Sequence, residues 1–181
     1  MNITPLVKTL SLLTVCNLIS TKAITQTYLS EERESLRGIE AFKVETFIQK
    51  VDSEIHQRGL TKSQLKTDVE LRFRTAGIKV LTKNDLSQNG SMDYPFLLVY
   101  VQIIPAKLSE VTLGYAYSID LSFYQNIILY REPSIAIRAI TWNISYTGIA
   151  PYETSIRSIR ENVINLVDTF MNGYLAVNPK R

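Results

Sequence analysis

Apolar and polar residues alternate most regularly over residues 112–130. Leu113, Tyr115, Tyr117, Ile119, Leu121, Phe123, Ile127 and Leu129 hold one parity. Gly114, Ala116, Ser118, Asp120, Ser122, Tyr124, Asn126 and Tyr130 hold the other. Successive side chains of a strand point to opposite faces, so the pattern predicts a long strand with one buried and one wetter face. Glu132-Pro133 is the expected turn. Residues 135–146 return with Ile140, Trp142, Ile144 and Tyr146 inward and Thr141, Asn143 and Ser145 outward. A short connection makes such a pair an antiparallel hairpin.

Elsewhere the period changes. Leu65, Val69, Phe73 and Ala76 fall at steps of four and three, predicting a helix over residues 61–76. Thr61 and Gln64 have the spacing of a capping box, and Gly77 suits the left-handed stop. A second helix is expected over residues 155–175, with Ile156, Ile159, Val163, Val167, Phe170 and Tyr174 as its stripe. Arg157, Arg160, Glu161, Asn165, Asp168 and Asn172 form its outer side. Ile39, Phe42, Val44, Phe47 and Ile48 mark a first strand, and residues 78–81 a short one. Residues 84–94 carry turn chemistry, in Asn84-Asp85 and Asn89-Gly90-Ser91. Residues 96–104 are almost unbroken apolar and end at Pro105, which predicts a strand buried on both faces or central in its sheet. The order is β-α-β-β-β-β-α. It implies an α+β fold, a two-layer sandwich with a mainly antiparallel or mixed sheet and two helices on one face.

The N-terminus reads differently. Residues 1–23 have the form of a secretory signal peptide, with Lys8, an apolar stretch over residues 10–19 and small residues at Thr21 and Ala23. The stretch is shorter than the ~20 residues of a membrane span. Two rival readings are a lipoprotein acylated at Cys16, although Val15 stands where a small residue is usual, and an uncleaved anchor. All three place the domain outside the cytoplasm, in the periplasm or beyond. Residues 24–36 are polar and read as a flexible tether. Residues 37–181 are then a single domain.

Composition narrows the chemistry. The 181 residues carry a net charge of +3. Loss of Lys8 and Lys22 with the leader would bring it near +1, short of the basic footprint that nucleic acid requires. Cys16 is the sole cysteine, so the rest of the chain has no disulfide, thiolate metal site or cysteine nucleophile. The sole histidine, His56, lies in the charged run 52–58 without a G-x-S-x-G elbow, and is read as a solvated side chain. Asp68 and Glu70 are two apart on a helix and point in different directions. Arg72 and Arg74 complement the negative helix end. Asn89-Gly-Ser and Asn143-Ile-Ser match a glycan acceptor pattern, the second inside a strand. No metal or cofactor is expected.

The remaining candidates are Ser118, Asp120, Ser122, Tyr124, Asn126 and Tyr130, which share the wetter parity of the long strand. Tyrosine joins an apolar ring to a polar tip and suits contact surfaces. These six are the expected binding residues. Tyr115 and Tyr117 share the core parity and are expected to be structural.

Residues 59–61, 68–72 and 76–78, Ala139-Ile140-Thr141-Trp142, and the tail from Leu166 to Lys180 together resemble a group of uncharacterised exported bacterial proteins of cyanobacterial type. The layout is similar to small envelope accessory domains, such as the N-terminal domain of TolB and the lipopolysaccharide-assembly lipoproteins. The resemblance implies export and an α+β domain, and it transfers no residue role. The expected function is a non-enzymatic binding or accessory module of the cell envelope. Its half-polar sheet face or sheet edge would meet an envelope protein or an extended ligand. Membrane contact would come only through the N-terminal segment, if retained or lipidated. One alternative is a small-molecule or lipid carrier, with a cavity near Phe123, Trp142 and Phe170. The other is a hydrolase centred on Asp120.

Overall fold

The computed structural model describes residues 31–49, 53–82, 84–85 and 94–179. The signal segment with Cys16, the tether as far as residue 30, the Asn89 acceptor motif and most of the 84–94 loop lie outside the described residues. The elements are β1 (Ala41–Gln49), α1 (Ser53–Gln57), α2 (Lys62–Thr75), β2 (Lys79–Val80), β3 (Phe96–Leu108), β4 (Val111–Leu129), β5 (Glu132–Pro151) and α3 (Ser155–Val177). The fold is α+β. A five-stranded mixed sheet of order β2-β1-β3-β4-β5 has α2 and α3 packed on one face. The helix α1 is additional to the predicted order and carries His56, which is exposed.

The two long helices form where their apolar stripes predict. Thr61 caps α2, its Oγ1 accepting from the Gln64 amide at 3.1 Å. Only half of the capping box is made, because the Gln64 side chain donates to Asp68 instead, at 3.0 Å. After the Ala76 cap, Gly77 takes φ +75°, a backbone region that costs glycine nothing. Thr61→Ala is expected to cost about 1 kcal/mol, since the cap satisfies an otherwise orphaned amide. Urea denaturation would read it as a lower midpoint at unchanged slope.

The inner sheet face and both helices bury one aromatic cluster. Phe42 on β1 sits at its centre, edge-to-face with Phe73 at 5.2 Å, Phe123 at 5.4 Å, Phe170 at 5.7 Å and Tyr174 at 5.9 Å. Two charged forks clamp the helices over it. Arg72 grips Asp168 through two bonds of 2.7 Å, and Arg160 reaches Asp68 at 2.6 Å. Arg72 therefore joins two helices as well as facing the end of its own. Arg74 pairs with Glu70 at 2.8 Å.

Three sequence expectations change, and a fourth is decided between its two readings. The strand β3 is central in its sheet, as one reading had it, and is not buried on both faces. Leu97, Val99, Val101 and Ile103 are buried while Phe96, Leu98, Tyr100 and Gln102 are half-exposed. Pro105 does not end β3. Among the described residues the β1 ladder ends at Gln49–Gln102 and none pairs with that side of β3 beside Pro105, where a residue without an N–H is tolerated. The turn between β4 and β5 is Tyr130-Arg131, and Glu132 already pairs with Leu129. Finally, Phe123 pairs with Trp142 but Tyr124 pairs with Ile140, leaving Thr141 as an extra residue. This bulge flips Ile140 out of the predicted core parity, and it is 50% exposed.

Residues 31–34 form a helical turn, and Leu36 after it is fully buried. Ser35 fixes this turn to the sheet, its Oγ donating to the Thr141 carbonyl at 3.0 Å. Gln125 donates to the Ser35 carbonyl at 2.9 Å and to Thr141 Oγ1 at 2.6 Å. Residues 31–36 are thus tied to the sheet.

Candidate functional site

Pairing across the sheet arranges its second face, which α2 and α3 leave uncovered, into rows. Lys43, Phe96, Tyr124 and Ile140 form the first, and Glu45, Leu98, Ser122 and Asn143 the second. Phe47, Tyr100, Asp120 and Ser145 form the third, and Gln49, Gln102, Ser118 and Thr147 the fourth. The last row is Ile104, Ala116 and Ile149. Strand alternation alone generates this face, since each row continues the parity of its strands.

Five of the six expected residues lie in line on β4, in the order Ser118, Asp120, Ser122, Tyr124 and Asn126. Ser118, Asp120 and Tyr124 are half-exposed, and Asn126 is exposed. Ser122 is 7% exposed and accepts a bond from Asn143 Nδ2 at 3.2 Å. Asn126 pairs with Arg138 on a two-stranded ribbon that runs on past the start of β3. Tyr130 does not join them. It occupies the turn at the ribbon tip, fully solvent-exposed at 101%.

The face also contains residues that sequence reasoning missed. Phe96 stacks on Tyr124 at 4.7 Å with planes 6° apart, and Phe47 stacks on Tyr100 at 5.5 Å and 3°. Cations lie over these rings. Lys43 is 5.2 Å and Arg138 5.4 Å from the Phe96 centroid, and Lys62 is 4.6 Å from that of Phe47. The Tyr100 hydroxyl donates to Gln49 Oε1. The signal for Phe47 was its parity, opposite to that of Phe42, Val44 and Ile48. For β3 the unbroken apolar run concealed the alternation.

This geometry has chemical consequences. Because the rings stack against each other, their broad faces are used internally and their edges meet solvent. The two stacks make ridges across the strands, with Leu98, Ser122 and Asn143 in the trough between. The rows are two residues apart, so the ridges are separated by about 13 Å. Asp120 stands on the third row between Tyr100 and Ser145. Among the described residues no second carboxylate occupies an adjoining position, so the two-acid arrangement of a glycoside-type hydrolase is not formed there.

The interior is equally specific. Trp142 meets Phe170 at 4.9 Å and Phe123 meets Phe170 at 5.3 Å. These three were the expected lining of a carrier cavity, and they pack on each other. Tyr115 is fully buried, and Tyr117 is 4% exposed. Burial pushes the Tyr117 hydroxyl above its ordinary pKa, and the hydroxyl accepts from Asn162 Nδ2 at 2.9 Å. Among the described residues, no three His, Cys, Asp or Glu side chains are grouped to hold a metal ion. No helix of the described residues is long and apolar enough to cross a membrane.

No protein-family model matches the sequence, and no curated protein matches it. Among solved structures, the chain is similar to rare lipoprotein B from Shewanella oneidensis. The identity is 12%, the match covers 76% of this chain and 88% of that one, and the TM-score is 0.27. A likeness at that level carries no functional weight, so function is read from the geometry and the sequence.

Proposed function

We propose that this chain is a non-enzymatic, exported accessory module of the cell envelope, and that its uncovered sheet face docks an envelope protein or an extended ligand. The observation that carries this reading is the ridge-and-trough relief of that face. Stacked aromatic pairs flank a trough of small and polar side chains that includes Ser122 and Asn143. Rigid rings hold a fixed shape at low entropic cost, and the polar groups between them supply direction. Export rests on the N-terminal residues 1–23, and the periplasm or the cell exterior is the compartment.

The test pairs Asp120→Arg with Tyr124→Ala. Both positions are half-exposed, so the variant should keep its fold. Loss of co-purifying partners from envelope extracts, at unchanged circular dichroism, is the expected result. A variant that retains the full set of partners would mean that another surface does the docking. Native mass spectrometry of the protein from its own envelope fraction would report the mature N-terminus and any lipid on Cys16.

A further inference from the structure

The strand β5 ends the sheet, and among the described residues no strand pairs with its outer edge. Edge strands carry unpaired N–H and C=O groups, and proteins usually blunt them with charge, proline or bulges. Here such devices stand only at the margins. The Thr141 bulge, with Ser35 bonded to the Thr141 carbonyl, closes one end, and Pro151 closes the other. Between them, residues 142–150 read Trp-Asn-Ile-Ser-Tyr-Thr-Gly-Ile-Ala, with no charge and no proline. Ser145, Tyr146, Thr147 and Ile149 are exposed, Ile149 at 81%.

We propose that this window pairs with the same window of a second copy. The two strands would run antiparallel about a two-fold axis at Tyr146, joining two sheets into one of ten strands. The window is bounded on both sides, so its midpoint sets the register. Ser145 then faces Thr147 of the second copy, Asn143 faces Ile149, and the exposed Tyr146 rings meet on the axis.

The helix layer fits the same operation. The helix α3 lies over β4 and β5, with Phe170 against Trp142 and Asn162 bonded to Tyr117. Adding a seam at the ordinary strand spacing of about 4.8 Å sets the helix layers of the two copies side by side on the same face of the joined sheet. The side of α3 turned to that edge carries no charge. Thr169, Asn172, Gly173 and Ala176 line, with Trp142, Asn143 and Ile144, a groove of about 360 Å³ whose remaining wall is Glu32 and Arg33 of the N-terminal turn. A Cβ on Gly173 would meet nothing within 4 Å. The other side of α3, carrying Arg160 and Asp168, is already clamped to α2.

The area is adequate. Nine residues of strand give a seam about 30 Å long, and one sheet layer plus one helix layer is about 20 Å deep. That is roughly 600 Å² per subunit, near the ~800 Å² of a standard stable interface. The pairing uses the backbone edge of β5, whereas the docking test changes Asp120 and Tyr124 on β4, so the two readings fail separately.

A charge swap tests both the dimer and its register. The full chain is expected to sediment as a dimer at micromolar concentration. Ser145→Lys with Thr147→Lys sets lysines opposite one another across the seam and should weaken the dimer tenfold or more. Ser145→Lys with Thr147→Glu makes those cross-seam pairs opposite in charge and should restore it. Circular dichroism melts confirm that each variant is folded. A monomeric wild type, or a double-lysine variant that dimerises as well as wild type, overturns the proposal. Failure of the lysine–glutamate variant to recover overturns the register.

Discussion

Phe42→Ala is expected to lower the unfolding free energy by about 3–5 kcal/mol, enough to unfold a marginally stable domain. The ring is fully buried and touches four other rings drawn from α2, β4 and α3. Its removal leaves a cavity where three elements meet, and none of the neighbours can close it alone. Each of Phe73, Phe123 and Phe170 keeps its other contacts, so the loss should appear as stability and not as misfolding. Equilibrium denaturation with guanidinium checks this. A loss below about 1 kcal/mol would mean that the cluster repacks around the gap.

The second large effect is steric. Gly114→Ala should cost about 1–3 kcal/mol, because a Cβ at this position would lie 2.5 Å from the Ala150 carbonyl oxygen. The obstacle is backbone of the neighbouring strand, which cannot turn aside as a flexible side chain would. Gly173→Ala supplies the contrast. That position lies within α3, one turn before its end at Val177, with open space around it, so alanine should add about 0.5–1 kcal/mol. Thermal melts of the two variants should shift in opposite directions. A shift of the same sign in both would remove the steric account.

The sequence was legible where one residue's neighbours along the chain determine its environment. The stripe from Ile159 to Tyr174 and the alternation from Tyr115 to Phe123 are both of this kind, and both elements form where expected. It was opaque where a partner strand decides. Ile140 and Trp142 share a parity, and nothing in Ile140-Thr141-Trp142 announces a bulge. The extra residue is defined only against Phe123 and Tyr124 on β4. Pro105 misled for the same reason, since its tolerance depends on where β1 stops. The candidate face was half legible. Its β4 line followed from parity, while Phe47, Phe96 and Tyr100 emerged only when β1 and β3 were placed beside it. Tyr130 had the right parity but sits beyond the last strand residue.

The mixed sheet also sets an order of assembly. The strands β3, β4 and β5 are sequence neighbours joined by tight turns, and α3 follows them directly, so these ladders close at little entropic cost. The strand β1 differs, since Lys43 must find Phe96 across the whole of α1, α2 and β2. Its parallel ladder is the non-local part of the fold and the slow part to close. Phe42 lies at that closure, two residues of β2 being all that pairs on its other side. The C-terminal meander is therefore expected to form first, with β1 gaining protection when it locks into the sheet beside β3.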